Sequence, residues 1–282
     1  MNAIKDDDLP NGTNVTLTLS RLYYIQFFVR FGTFLFLLVF IGYSLFFMDV
    51  KLNRCTSMFG NIGNMIKTRF YPPDIHYILN ERYLKSVFET IQMAYLGALS
   101  GILCSIPISW CASFNVTPNK RFAYPAGKFI ITFCRSIHEM IWGLFFVITI
   151  GYGMFSGVLA LTMWSIGFVG KLFSDEIESI NMGQVEAIRA TGGNSIQVFI
   201  YAVFPQVRVA WIGISIYSWD SAFRAATVLG YFGAGGMGLY LKQTVEELEY
   251  FKVSAILLTI IMLVLISEIV SAWVRHRIKG QL

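Results

Sequence analysis

Charge is scarce in this chain. Only 14% of its 282 residues are Asp, Glu, Lys or Arg, against about 25% in a soluble domain. Hydrophobic residues make up 55%, and the mean hydropathy is +0.59. So little polar surface cannot shield this much apolar side chain from water. A soluble globular protein is excluded, and lipid must be the solvent. Cysteine and histidine are scarce too. Cys55, Cys104, Cys111 and Cys134 show no metal-ligand spacing, His76, His138 and His276 are scattered, and HEMIW at 138–142 lacks the second histidine of a helical zinc site. No metal is expected. A phosphate-cradling G-x-x-x-x-G-K-[ST] loop is also missing, since GFVGKLF at 167–173 has neither the spacing nor the hydroxyl residue. The chain therefore does not hydrolyse ATP by itself. Its net charge of +5 gathers at the ends of apolar runs rather than in one stripe, which fits membrane topology and argues against nucleic acid. The acidic start, MNAIKDDDLPNG, is followed by an apolar run too long for a signal peptide, so it is expected to stay on the mature protein.

What is there is a series of apolar spans, each near the length of about 20 residues that crosses a bilayer. They fall at about 24–47, 86–111, 127–150, 154–174, 205–223 and 253–273. This predicts an all-α integral membrane protein with six transmembrane helices. The stretch at about 49–84 reads as a polar loop in which Pro72-Pro73 ends any helix. GYGMFSG makes a turn between spans three and four. Six spans put both termini on one side. Arg275, Arg277, Lys279 and the group Lys120, Arg121, Lys128 favour the cytoplasm for that side, while Lys51, Arg54, Lys67, Arg69 and Arg82 in the 49–84 loop oppose it. Charge alone leaves the orientation open.

One stretch interrupts the spans, EAIRATGGNSIQVFIYAVFP at 186–205. Glu186 to Thr191 can form a short helix whose small residues Ala187 and Ala190 admit a close neighbour. Gly192-Gly193 supplies the permissive backbone that ends it. Asn194 and Gln197 have capping-box spacing for a second helix, and Pro205 suits the first turn of span five. The result is a rigid knob outside the membrane, or alternatively an amphipathic loop lying on its surface. The spacing of Glu186, Ala187, Gly192 and Pro205 resembles the EAA loop of ATP-binding-cassette importer permeases, with Ile188, Ala202 and Phe204 as apolar replacements. The resemblance implies a type I importer permease fold with a cytoplasmic coupling helix formed by Glu186, Ala187, Arg189, Ala190, Gly192 and Pro205. It also places both termini in the cytoplasm and the chain in the bacterial inner membrane. The implied organisation is a tail at 1–23, the first transmembrane helix and a periplasmic loop at 24–84, the permease domain at 85–275 and a tail at 276–282.

Further segments, RSIHEMIWGLFFVITIG, SGVLAL and RAATVLGYFGAGGMG, look like the phosphonate-transport (PhnE-type) permeases. This chain carries His138, Asp220 and Ala222 where that subfamily has Asn, Glu and Asn, which leaves phosphite or hypophosphite open, with a methionine-type importer more distant. The glycine-rich GYFGAGGMG follows a membrane helix rather than a strand, which excludes a dinucleotide fold. Gly233, Gly235, Gly236 and Gly238 are expected to form a flexible turn on the outer side, where backbone approaches a dimer mate or gate. Ionisable residues within spans are functional candidates. Asp220 and Arg224 are four apart and share a helical face, and Arg135 and Glu139 have the same spacing in span three. With His138 they are candidates for the translocation pathway, or else structural pairs. Glu268 has no sequence neighbour of opposite charge, and interhelical bonding is expected for it. The partners implied by the resemblance are a second copy of the chain, two ATPase subunits that bind ATP and Mg, a periplasmic or lipoprotein substrate-binding protein, and lipid. The chain itself would carry no cofactor. A secondary carrier would show a repeat between halves, and none is found; a channel or scaffold subunit would need no knob.

Overall fold

The computed structural model describes residues 12–48 and 52–279, all helices and turns among the described residues. It divides into a unit before Ile66 and a unit from Ile66 onward. In the first unit, α1 (Gly12–Phe47) contains the apolar span Gln26–Phe47. It is followed by α2 (Leu52–Met65), which lies inside the stretch expected to be a loop. The signal for α2 was present, because Leu52, Cys55, Phe59, Ile62 and Met65 recur at three- and four-residue steps.

The second unit opens with a wide π-helical turn, Ile66–Phe70, and a short α3 (Ile75–Ile78) capped by Asp74. Asp74 N–H donates to the Phe251 carbonyl at 3.2 Å, so this stretch packs with the helices that follow. Those are α4 (Glu81–Ala112), α5 (Ala123–Ser136), α6 (Glu139–Ile150), α7 (Met154–Glu178), α8 (Met182–Ala190), α9 (Ser195–Val198), α10 (Phe204–Leu229), α11 (Met237–Glu246) and α12 (Tyr250–Lys279). Among the described residues five helical stretches are long and apolar enough to cross a membrane, and the count is six when the bent pair α5–α6 is taken as one span.

Helices α4 and α7 form the spine of this unit. They meet through small residues: a Cβ on Gly97 would overlap Leu161 and one on Gly157 would overlap Met93. Close approach lets hydroxyls bridge the helices, as membrane interfaces favour. Ser100 and Thr162 oxygens are 2.6 Å apart, and Ser113 Oγ donates to the Ser174 carbonyl at 3.3 Å. Around this spine a buried cluster collects Met93, Leu161, Trp142, Phe223 and Leu229, and a second collects Phe173, Ile177, Val185, Val203 and Trp211.

The third span corrects the sequence-based expectation. Residues 123–150 are not one helix but two, bent by 90° at a break after Ser136. Ile137 and His138 are extended, and His138 Nδ1 accepts from Met140 N–H at 3.4 Å to start α6 afresh. Trp142 Nε1 reaches back to the Cys134 carbonyl at 3.3 Å and fixes the corner. Helical periodicity runs through the break, and the cap that makes it is a histidine rather than the usual Ser, Thr, Asp or Asn. Apolar composition alone therefore gave one span.

Candidate functional site

The knob forms at one end of the helices, between α7 and α10. Asn181 starts α8 by accepting from Gly183 N–H at 2.9 Å. At its far end Gly192 takes φ +84°, a left-handed value that favours glycine, with its N–H on the Arg189 carbonyl at 3.0 Å. The Asn194–Gln197 capping box is complete, at 2.8 and 2.9 Å. After a π-helical turn at Phe199–Val203, Pro205 occupies the first turn of α10. Glu186, Ala187, Arg189, Ala190 and Gly192 are all exposed on one projecting element. What seats that element is Val185, wholly buried in the cluster of Phe173, Ile177, Val203 and Trp211. Arg189 also donates to the Asn115 carbonyl at 3.5 Å, and Gln206 accepts from Asn181 N–H at 3.0 Å. Val185 was not singled out from sequence, and Gly193 was read only together with Gly192 as permissive backbone. A Cβ on Gly193 would lie 2.8 Å from the Ile188 carbonyl, whereas one on Gly192 would meet nothing within 4 Å.

The ion pair sits far along α10. Arg224 Nη1 donates to Asp220 Oδ2 at 2.7 Å and Nη2 to Ser221 Oγ at 3.1 Å. The other carboxylate oxygen of Asp220 accepts from Ser267 on α12 at 3.1 Å. Asp220 is thus satisfied at both oxygens and its side chain is only 9% exposed, while that of Arg224 is 46% exposed. The guanidinium retains N–H donors beyond the two used. The interhelical bonds between α10 and α12 come from Ser267 and from Ser271, which donates to the Ile216 carbonyl at 3.4 Å, rather than from Glu268, which is exposed and has no ion pair among the described residues. One residue of offset rotates Glu268 about 100° away from α10.

The glycine turn is packed into its own chain rather than left loose. Gly230 to Ala234 form a π-helical turn, with Gly233, Gly235 and Gly236 at φ +102°, +84° and +70°. All three are buried, as is Gly238. A Cβ on Gly236 would overlap Thr90 Oγ1, and one on Gly238 would overlap the Thr227 carbonyl. Two residues of α4 bind the turn directly. Glu89 Oε2 accepts from Gly236 N–H at 3.2 Å, and Thr90 Oγ1 accepts from Met237 N–H at 2.9 Å. Glu89 was missed, although the same reasoning that selected Glu268, a carboxylate within an apolar span, applies to it.

Arg135 and Glu139 do not share a face. The break between α5 and α6 separates them, and no ion pair joins them among the described residues. Glu139 lies instead beside His138, with Oε2 3.4 Å from Nε2. Among the described residues no three His, Cys, Asp or Glu side chains converge as metal ligands.

Residues 101–280 match the family described as binding-protein-dependent transport system inner membrane component. The phosphite transport system permease protein PtxC of Stutzerimonas stutzeri is 34% identical over 197 residues, covering 70% of this chain and 71% of that protein. The phosphate-import permease protein PhnE of Mycolicibacterium smegmatis is 34% identical over 235 residues, covering 82% of this chain and 43% of that one. Among solved structures, a chain of the inward-facing MetNI methionine ABC transporter superimposes with a TM-score of 0.59 at 19% identity, over 70% of this chain and 95% of that one. That last likeness is one of fold alone.

Proposed function

Because the chain belongs to the inner-membrane components of binding-protein-dependent transport systems, we propose that it is the permease subunit of an ATP-driven importer for phosphonates or a related reduced phosphorus oxyanion such as phosphite. The observation that carries this is the exposed α8 knob, anchored by Val185 and held in one shape by Gly192 and the Asn194 capping box. A rigid knob rooted in the helix core can transmit a push, and a loose surface loop cannot. The relatives' names, phosphite transport and phosphate import, support an oxyanion of phosphorus as cargo.

Two copies of the chain pair in the membrane. Each knob docks into one of two ATPase subunits, which bind ATP and Mg, on the cytoplasmic side. A substrate-binding protein delivers the anion at the opposite end, near the glycine turn. Closure of the ATPases on ATP drives the knobs, and the helices rock to open outward. Arg224 then meets the anion with a planar fork of donors matched to phosphoryl oxygens, while Asp220 and Ser221 keep that fork oriented and Asp220 keeps the empty site near neutral. Both termini, on this reading, lie in the cytoplasm.

The test is co-purification. The chain carrying its own ATPase partner should lose it when Glu186 to Gly192 is replaced by a Gly-Ser linker, and the cognate binding protein should take phosphonate or phosphite in a titration. Retention of the ATPase without the knob contradicts the docking role. A binding protein that takes none of phosphonate, phosphite and phosphate contradicts the substrate class.

A further inference from the structure

Breaking α5 from α6 frees Arg135 from Glu139 and leaves it in other company. On α5, Lys128, Thr132 and Arg135 fall at steps of four and three residues, one stripe about 10 Å long. Helix α7 is pressed against the neighbouring face of α5, where Ile131 and Cys134 are buried. A Cβ on Gly167 would lie 2.7 Å from the Arg135 backbone nitrogen, and one on Gly170 would lie 3.2 Å from Ile131 Cγ1. With the backbones this close, the long side chains splay around a cavity of about 340 Å³ lined by Lys128, Ile131, Thr132, Arg135, Ser136 and Lys171. That is about ten water volumes, room for a tetrahedral oxyanion and part of its hydration.

The charges around this cavity have one sign. Among the described residues three cations line it and no carboxylate does. Lys128 is 3.4 Å from Glu178 and Lys171 pairs with Asp175, both acids lying toward the knob end of α7. Arg135 has no acidic partner among the described residues, so one positive charge is left uncompensated. Its depth makes this unusual. Arg135 is level with Gly167, near the middle of α7 (Met154–Glu178), and it is exposed. An exposed cation at the middle of a span is costly against hydrocarbon and belongs on a water-filled path. The last carbonyls of α5 lie close to Arg135 and disfavour an anion there, which weakens binding without removing the surplus charge.

We propose that this cavity is an exit vestibule, in which Arg135, Lys171 and Lys128 receive a small phosphorus oxyanion at mid-membrane and pass it toward the knob end. The proposal rests on the reading of the chain as an importer of such anions and adds the inner half of the path. Arg224, eight residues from the glycine turn's Phe232 and nineteen beyond Pro205, would serve the outer half. The same phosphoryl chemistry could come from an anionic lipid headgroup, because basic pockets between membrane helices also bind these.

A reporter cysteine separates the cases. Thr132→Cys is made in the full chain with Cys55, Cys104, Cys111 and Cys134 changed to Ala, and reconstituted in phosphatidylcholine nanodiscs. With each rate divided by that of the same reagent with a free thiol in solution, the negatively charged thiosulfonate reagent should react about fivefold faster than its positively charged counterpart. Millimolar phosphite or methylphosphonate should slow that reaction, and Arg135→Gln together with Lys171→Gln should abolish both the preference and the protection. Ser136→Cys serves as a second reporter if the first variant fails to fold. Lack of preference for the anionic reagent, or lack of protection by either anion at either reporter, overturns the proposal. Protection by added phosphatidylglycerol but not by free anion also overturns it and makes the cavity a headgroup seat. Uptake by the wild-type assembly, measured separately, tests the importer reading: protection without uptake sinks that reading and leaves the anion site standing.

Discussion

Arg224 and Asp220 offer the sharpest test of how charge is tolerated in the helix bundle, because the two ends of the pair sit in different surroundings. The perturbation is Arg224→Gln. At a charge separation of about 4 Å and an effective dielectric constant of about 20 the gross attraction is about 4 kcal/mol. The Asp220 side chain is 9% exposed but that of Arg224 is 46% exposed, so solvent screens roughly half of it. The expected loss is about 2 kcal/mol, between the 0–1 of an exposed pair and the 3–5 of a broken buried one. Asp220→Asn should cost about 1 kcal/mol, because it keeps an oxygen for Ser267 and leaves a guanidinium that can rehydrate. The double variant should cost no more than Asp220→Asn, giving a coupling of about 2 kcal/mol in a denaturation cycle in detergent. Transport separates structure from function. If Arg224 meets the anion, the double variant is stable yet does not transport, and Arg224→Lys transports in part. Full transport by the double variant would refute the anion-guiding role, and an unchanged stability for Arg224→Gln would refute the ion-pair reasoning.

Other substitutions follow the same geometry. Gly192→Val should cost about 1–2 kcal/mol of knob stability through its φ of +84° alone, and Gly193→Ala should act through overlap with Ile188; both should weaken ATPase co-purification while membrane insertion stays normal. Gly236→Ala combines a positive φ with an overlap on Thr90 and should lower thermal stability by roughly 2 kcal/mol. Ser267→Ala removes a donor from buried Asp220 and should cost about 1–2 kcal/mol, whereas Glu268→Gln should be close to neutral in the isolated chain. A cysteine at Asn194 should react with an impermeant thiol reagent only from the cytoplasmic side, and one at Asn61, with Cys55 removed, only from outside; labelling of position 194 in sealed right-side-out vesicles overturns the topology.

The knob was legible because its signals are local. A capping box, a left-handed glycine and a first-turn proline each depend on residues a few positions apart, and Asn194, Gly192 and Pro205 behave as their spacing indicates. The α5–α6 corner was not legible, since nothing apolar changes across it and a histidine side chain supplies the cap. This removed the Arg135–Glu139 face and gave Arg135 to the cavity beside Lys171. The bond from Ser267 escaped for a different reason, and so did the partner, though not the candidacy, of Glu89: Asp220 and Gly236 are 47 and 147 residues away. Glycine spacing indicated close backbone approach, and the approach is to Thr90 and Tyr152 of the same chain. Only tertiary packing can say which neighbour a glycine admits.

If ATP hydrolysis on a separate subunit, received through the α8 knob, moves a phosphorus oxyanion through this chain, proteoliposomes show it most directly. They contain the chain, its ATPase partner and its binding protein, with ATP supplied on the ATPase side. Radiolabelled phosphite or methylphosphonate should accumulate only with hydrolysable ATP, and Gly192→Val should abolish accumulation. Uptake by the chain without the ATPase, driven by a proton or sodium gradient, would contradict the account.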